Sequence, residues 1–327
     1  MLCIHSLNTD PYYNLAAEEH FLKTSEEEYF MLWQSVPAVV IGKHQNALAE
    51  INYRFTKDKG ILLARRLTGG GTVYHDGGNL NFTFIRNGEP GKLVDFASFI
   101  DPVIRFLDSL NIKAIQGPKH EILAGGIKIS GNAEHVYKNR VLHHGTLLFN
   151  ADMNMLRQSI SHQGCGIYSD RAVQSNRSSV INLSELMPDG VTISEFKKLF
   201  IDHMLSFFSA REYVPDESEQ VAVKSLAEEK YRTWEWIFGW SPDYSFKNSW
   251  KHSSYEAVIE LSIHRGLIKT GKIDSLQFAE NTLEKIKSLL MGLPHREEDI
   301  RKVLNSAGFN KELADEAVFE DLVMAFF

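Results

Sequence analysis

Residues 61–84 run Ile61-Leu62-Leu63-Ala64-Arg65-Arg66-Leu67-Thr68-Gly69-Gly70-Gly71-Thr72-Val73-Tyr74-His75-Asp76-Gly77-Gly78-Asn79-Leu80-Asn81-Phe82-Thr83-Phe84. An apolar, strand-like run closes on two arginines, and three glycines follow at once. Strand-like sequence then resumes at Thr72 and again at Leu80. Glycine lacks Cβ, so such a turn enters backbone conformations closed to other residues and lets a ligand come close. Successive N–H groups in a tight turn form a concave anion site. Arg66 beside them adds a planar donor fork suited to phosphate or carboxylate. A Gly-rich hairpin turn that binds nothing fits the same residues, because glycine clusters mark turns of every kind. The common phosphate fingerprints are absent: there is no Gly-x-x-x-x-Gly-Lys-Ser/Thr, and Tyr74 stands where the dinucleotide pattern needs its third glycine.

Outward from this segment, the first ~210 residues alternate strands and helices. The pattern predicts strands at 2–7, 29–33, 38–42 and 141–149. It predicts helices at 14–24, 52–59, 96–110 and 194–209. Residues 121–130 read as a hairpin turning on Gly125-Gly126, and residues 153–159 as a short helix capped by Asn150 or Asp152. Between Ser161 and Ser179 periodicity fails, which predicts a polar loop of the length typical of lids and binding loops. A charged stretch at 211–229 and the Trp234-Glu235-Trp236 cluster precede two or three further strands and helical runs near 281–291 and 296–305. The reading is an α+β chain of two domains, 1–245 and 246–327.

At 327 residues and 43% hydrophobic, the chain buries a full core. Its net charge of −7 argues against nucleic-acid binding and against a polybasic membrane anchor. No apolar run approaches the ~20 residues of a spanning helix, and no signal-peptide pattern opens the sequence. Two cysteines, Cys3 and Cys165, suit a reducing, cytoplasmic compartment with no disulfide framework.

Two further features carry chemistry. Lys128 sits mid-strand in Gly126-Ile127-Lys128-Ile129-Ser130-Gly131, with Ile127 and Ile129 on the other face; a merely solvent-facing lysine fits as well. In His143-His144-Gly145-Thr146-Leu147-Leu148, adjacent strand residues point opposite ways, so the two histidines do not share a metal, and no metal site is expected.

Taken in order, Tyr13-Asn14-Leu15-Ala16-x-Glu18-Glu19, Arg65-Arg66-x-x-Gly-Gly-Gly-Thr-Val-Tyr-His-Asp, Asn79-x-x-Phe-Thr-Phe, Lys128-Ile129-Ser130-Gly131-Asn132-Ala133, His143-His144-Gly145-Thr146-Leu147-Leu148 and Ser178-Ser179-Val180-x-Asn182-Leu183 resemble the lipoate–protein ligase A family. That family belongs to the superfamily that also holds biotin ligases and octanoyl transferases. The resemblance covers nearly the whole chain. It implies a mixed-sheet catalytic domain with helices on its faces and a small α+β C-terminal accessory domain. The activity it implies has two steps: lipoate and ATP, with Mg2+, give lipoyl-AMP, and the lipoyl group then passes to a lysine of an acceptor lipoyl domain. Acceptors of that kind are 2-oxoacid dehydrogenase E2 subunits and the glycine cleavage H protein.

By the same resemblance Lys128 is the catalytic cation. Arg66, Gly71, Thr72, Val73, Tyr74, Lys128 and Ser179 bind ATP or the adenylate; Asn79, Lys128, His144 and Gly145 bind lipoate. The 161–179 loop matches the family's adenylate-binding lid. One departure is Gly117-Pro118-Lys119-His120-Glu121, where many members carry Gly-Arg-Asn-Asp; Glu121 is placed to replace the acid. The alternative is an ATP-independent octanoyl or lipoyl transferase acting through Cys165, although nothing adjacent to Cys165 supplies the low thiol pKa that this needs.

Overall fold

The computed structural model describes residues 1–88, 91, 93–160, 166–176, 178–188, 190–313 and 315–327. Its strands, in chain order, are β1 (Leu2–His5), β2 (Tyr29–Trp33), β3 (Ala38–Ile41), β4 (Leu62–Arg65), β5 (Val73–His75), β6 (Asn79–Asn87), β7 (Ala114–Gln116) and β8 (Ile122–Ala124). There follow β9 (Ile127–Ser130), β10 (Asn132–Tyr137), β11 (Arg140–Leu148), β12 (Ile167–Asp170), β13 (Arg211–Glu212), β14 (Tyr244–His252), β15 (Tyr255–His264) and β16 (Leu267–Asp274). None of the described helices is long and apolar enough to cross a membrane.

The chain forms two compact units that interleave in sequence. One holds 1–43, 62–157 and 175–233; the other holds 44–61, 158–174 and 234–327. The first unit is built on a six-stranded mixed sheet, β10-β11-β6-β2-β1-β13, with two three-stranded sheets, β4-β3-β5 and β7-β8-β9. The central strand β6 sets its character. Asn79, Asn81 and Thr83 alternate with Leu80, Phe82 and Phe84, a two-faced pattern that normally means one face in water. Here both faces are buried.

The apolar face packs Phe30, Leu32, Leu80, Phe82, Phe84 and Leu147 against the helices Phe96–Ser109 and Ile193–Phe207. Both helices expose one side and bury a stripe. The stripe on the first is Phe99, Val103, Phe106 and Leu107; on the second it is Phe196, Phe200, Ile201 and Met204. Over the polar face lies the helix Pro11–Thr24, which starts at the Asp10 cap and Pro11 and is buried over most of its length. Its Glu18 reaches Thr83 on β6 and His144 on β11.

The second unit has the antiparallel sheet β12-β14-β15-β16, whose inward residues Phe246, Trp250, Ile259, Leu261, Ile263 and Ile273 are buried. The helices Glu280–Leu290, Glu297–Ala307 and Glu316–Met324 complete it.

Most expected elements lie within a residue or two of their places, and three differ. The segment 161–179 is not wholly loop, because Ile167–Asp170 pairs antiparallel with Tyr244–Lys247. Four residues cannot declare a strand when their partner is some seventy residues away. The charged stretch after 211 contains the helix Glu217–Leu226, started by a capping box of Asp216 and Glu219. The helix Glu316–Met324 also escaped the periodicity reading.

Candidate active site

Within the first unit a cavity of about 230 Å³ opens over the polar face of the six-stranded sheet. Register shows how it is laid out. Trp33 on β2, Asn81 on β6 and Thr146 on β11 stand opposite one another on neighbouring strands. Thr146 is joined to Gly131 by hydrogen bonds in both directions. Lys128 lies over Gly131, where a built Cβ would come within 3.2 Å of its Nζ. The floor thus runs from Lys128 across β11 and β6 to Trp33, roughly 14 Å at about 4.8 Å per strand. At the far end His75 packs edge-on against Trp33, with ring centroids 5.6 Å apart.

The glycine turn forms one wall. Arg66 is buried and does not project freely into the cavity. Its Nε donates to Thr68 Oγ1 (2.9 Å), and its terminal nitrogens donate to the carbonyls of Val40 (3.1 Å), Gly69 (2.6 Å) and Gly71 (2.7 Å). Burial alone brings the guanidinium down to about 10, with Glu18 opposing the shift. With the Gly69 and Gly71 carbonyls turned onto Arg66, planar trans peptides direct the N–H groups of Gly70 and Thr72 the other way. The amides of Gly69, Gly70 and Gly71 have no partner among the described residues, and Thr72 N–H donates to Ser175 Oγ at 2.8 Å. Gly70 has φ +85°, a left-handed conformation that favours glycine. Arg65, on the other face of β4, is fully buried and binds the carbonyls of Gly42 and Lys43.

At the opposite wall, Lys128 is positioned by a parallel bridge between β9 and the 179–181 segment. Its N–H donates to the Ser179 carbonyl, and its own carbonyl accepts from Ile181. Burial is the chief cause lowering the Lys128 ammonium; Glu121 opposes it, while Arg66 and Lys119 add to it. Glu121 and Lys119, from the divergent 117–121 run, both line the cavity. A Cβ at Gly117 would strike Glu121, so glycine there lets that carboxylate fold inward.

A third group is a buried relay. Thr68 Oγ1 accepts from Arg66 Nε–H and lies 2.7 Å from His144 Nε2. The Glu18 carboxylate only accepts, so His144 presents Nδ1–H to it at 3.0 Å. Thr83 donates to the same carboxylate, and Trp33 Nε1–H donates to Thr83. His143 points the other way, into the core, as strand geometry requires; it stacks on Phe99 and bonds Glu134. Burial drives the His143 imidazole well below its ordinary value and lifts the Glu134 carboxyl to about 7.

Of the residues expected at the site, Arg66, Gly71, Thr72, Val73, Lys128, His144 and Gly145 line this cavity together; Tyr74, Asn79 and Ser179 do not. Tyr74 is buried, Asn79 donates to Asn81 behind the floor, and Ser179 meets Lys128 through its backbone. Cys165 lies outside the described residues.

The residue reading missed Leu15, Trp33, His75, Asn81 and Thr146 at the cavity, and Glu18 behind it. The signal for Asn81 was present in the alternation of β6. Other motif residues prove to be scaffold. Asp76 accepts from the amides of Gly78 and Asp152, and a Cβ on Gly78 would lie 1.9 Å from the Asn150 carbonyl. Asn182 ties both backbone groups of Ala151.

A half-buried cation, a glycine turn whose amides have no partner among the described residues and a channel across a polar sheet face suit an acid-activating ligase. Residues 10–205 match the lipoyl protein ligase A/B catalytic domain, and residues 241–326 match the bacterial lipoate protein ligase C-terminus. The chain is 34% identical to lipoate–protein ligase 1 of Staphylococcus aureus over 299 residues, covering 91% of each chain. Among solved structures, a lipoate–protein ligase A bound with ATP superposes with a TM-score of 0.62 at 27% identity, covering 73% of this chain and 100% of that one. A bipartite lipoate protein ligase from Thermoplasma acidophilum, solved in work that includes its E2 lipoyl domain, gives a TM-score of 0.61 at 26% identity, covering 73% of this chain and 96% of that one. The chain belongs to the lipoate–protein ligase family.

Proposed function

We propose that this cavity joins lipoate to ATP and passes the lipoyl group to a lysine of an acceptor lipoyl domain. The observation that carries the reading is one cavity lined by both Lys128 and the glycine turn, where the amides of Gly70 and Gly71 have no partner among the described residues. The lipoate carboxylate, already ionised at neutral pH, attacks the α-phosphorus; the bond to the bridging oxygen breaks and pyrophosphate leaves. Negative charge grows on the phosphoryl oxygens in that transition state, and fixed donors stabilise it without reorganising. Lys128 bridges the acid's oxygen and the α-phosphate. The amides of Gly70 and Gly71 and the segment through Thr72, Val73 and Tyr74 cradle the phosphates, and Arg66 holds that cradle in shape while adding positive charge.

In the second step the acceptor lysine's neutral amine attacks the acyl carbon, the bond to the AMP oxygen breaks so that AMP departs, and the nitrogen releases one proton to solvent as the amide forms. Lys128 again meets the carbonyl oxygen as charge develops there. The hydrocarbon arm lies along the floor past Gly145 and His144, where burial contributes about 0.8 kcal/mol per CH₂. The backbone of Ser179 and the side chain of Asn79 support the adenylate and lipoate ends from behind the lining.

Mg2+ fits as an ion carried in with the triphosphate. It takes one or two carboxylates plus phosphate oxygens and keeps several waters. Glu121 is the carboxylate lining the cavity among the described residues, although one of its oxygens already accepts from Lys119 N–H. Bound there, the ion would neutralise charge on the leaving pyrophosphate.

Residues 1–245 hold both substrates, since every lining residue precedes 180, and residues 246–327 serve as the accessory domain. The acceptors are E2 and glycine-cleavage H-type lipoyl domains, and the setting is cytoplasmic. The test is ATP–pyrophosphate exchange with and without lipoate, followed by transfer to an apo lipoyl domain. Exchange that does not depend on lipoate, or none at all, would overturn the reading.

A further inference from the structure

On the core side of the six-stranded sheet a buried pair holds a proton that the adenylation chemistry does not use. His143 is fully buried and stacks on Phe99, and its Nδ1 lies 2.9 Å from Glu134 Oε1. Its Nε2 lies 3.3 Å from Asn132 Oδ1. The Asn132 amide is oriented from its other end, where Nδ2 donates to the His120 carbonyl at 2.9 Å and to Ser130 Oγ at 3.3 Å. An amide oxygen only accepts, so His143 presents Nε2–H to it. A second proton must then lie between Nδ1 and Glu134 Oε1, because a carboxylate against an imidazole lone pair would be two acceptors in contact. Burial, which lowers the imidazole and raises the carboxyl, leaves that second proton on Glu134.

The charged groups around the pair come from three further elements. Asp95, which caps the helix Phe96–Ser109, gives the Glu134 carboxyl a backbone N–H that favours ionisation, while its charge disfavours it. Arg86 on β6 lies over the Phe99 ring at 5.3 Å and 3.8 Å from Glu28. His120, stacked on Phe96, and His144, bonded to Glu18, both disfavour charge on His143. Asn132 connects this pair to the cavity, which it lines together with Lys119 and Glu121. Those two residues flank His120, whose φ of +63° is one that few residues other than glycine adopt. The Asn132 bond to the His120 carbonyl ties that strained turn to β10.

Resting on the lipoate-activation reading above, we propose that Glu134 and His143 are positioning residues for adenylation. Through Asn132 their shared proton holds the turn that presents Lys119 and Glu121 to the cavity. When that proton leaves to solvent, the one remaining ring proton faces two acceptors. It goes to Nδ1, against the carboxylate charge, and Nε2 then offers a lone pair to Asn132 Oδ1. The Asn132 amide turns over to donate to Nε2, which sets its oxygen against the His120 carbonyl and breaks the tie. Adenylation is thereby held to the side of neutrality on which Glu134 keeps its proton.

The experiment measures kcat/KM for ATP in lipoate-dependent pyrophosphate exchange from pH 5.5 to 9, in the unaltered protein and in Glu134→Gln. The glutamine amide always donates to Nδ1, so it fixes the protonated arrangement. The two proteins should agree near pH 6. Above about 7, where the Glu134 carboxyl titrates, the unaltered protein should fall about fivefold relative to the variant, the worth of one net hydrogen bond. Titration of Lys128 is common to both proteins and cancels in the ratio. Urea midpoints test the proton without catalysis. Glu134 binds its proton more tightly folded than unfolded, so the unaltered protein loses that stabilisation as pH rises from the ordinary carboxyl range through about 7. The midpoint difference should therefore widen in favour of Glu134→Gln between pH 4.5 and 8. A pH-independent activity ratio overturns the inference, as does a midpoint difference that does not widen. So does failure of Glu134→Gln to fold, since the amide reproduces the acid's shape and donor. Absence of lipoate-dependent exchange at every pH removes the lipoate-activation reading instead, and the urea series separates the two outcomes.

Discussion

Replacing Arg66 by lysine tests whether that residue shapes the glycine turn or merely contacts nucleotide. Arg66 spends one donor on Thr68, one on Val40 and two on the carbonyls of Gly69 and Gly71. A lysine ammonium has three donors at one point and cannot span acceptors on both sides of a planar fork, so at least two of these four bonds are lost. A hydrogen bond to a charged group contributes about 1.5–3 kcal/mol net. Partial rehydration of the freed carbonyls offsets some of this, leaving an expected destabilisation of about 2–4 kcal/mol. Because these bonds exist without nucleotide, the loss should appear in urea unfolding of the ligand-free protein. In parallel, the KM for ATP in pyrophosphate exchange should rise as the amides of Gly70 and Thr72 lose the direction that Arg66 gives them. Ligand-free stability within about 0.5 kcal/mol of the parent, the scatter expected of a neutral surface change, together with a raised KM, would refute the clamp. Arg66 would then be left as a phosphate contact only.

Lys128→Ala should reduce lipoate-dependent pyrophosphate exchange by about 10²–10³-fold while leaving unfolding little changed, since removing a half-buried charge also removes its partial desolvation cost; near-normal exchange by the folded variant would take Lys128 out of its role. Gly145→Ala should destabilise by about 1–3 kcal/mol through overpacking. Its Cβ would lie 2.3 Å from Asn132 Oδ1 and 2.4 Å from the Phe82 ring, and an unchanged melting temperature would show that the wall yields freely. Acid should weaken the fold through its buried histidines. His75 has a folded value near 3 against about 6.5 unfolded, so its stabilisation is complete above pH 6.5 and is lost as pH falls toward 3. At pH 5 the loss from His75 alone is about 2 kcal/mol, and the His75→Phe variant should show that much less acid sensitivity between pH 8 and 5.

Much of this was legible in the residues, for identifiable reasons. Strong local periodicity at 96–110 and 194–209 placed both core helices. The Gly125-Gly126 turn, with φ of +57° and +80°, placed the Lys128 hairpin. The opposed directions of His143 and His144 followed from strand geometry alone. What stayed hidden depends on partners distant in sequence. β12 exists because of β14. Arg66 reads as a phosphate fork until its acceptors, the carbonyls of the turn itself, are seen. Trp33 and Leu15 carry no chemical signature and enter the cavity only because β2 and the first helix are brought over the polar face of the sheet.

The two-faced burial of β6 has a consequence for how this protein tolerates change. Phe82 and Phe84 belong to the hydrocarbon interior, while their neighbour Asn81 lines the cavity and Thr83 lies on the same face, bonded to Glu18. Cavity and core are two rooms divided by a partition a single strand thick, and at Gly145 even the side-chain layer on the partition is missing. A change in ring size on the hydrocarbon side therefore displaces the floor directly, with no intervening layer to absorb it. If the cavity takes the acid as proposed, variants that alter which acid is accepted can arise at Phe82 or Phe30, positions outside the lining, and a survey of specificity confined to the lining would overlook them.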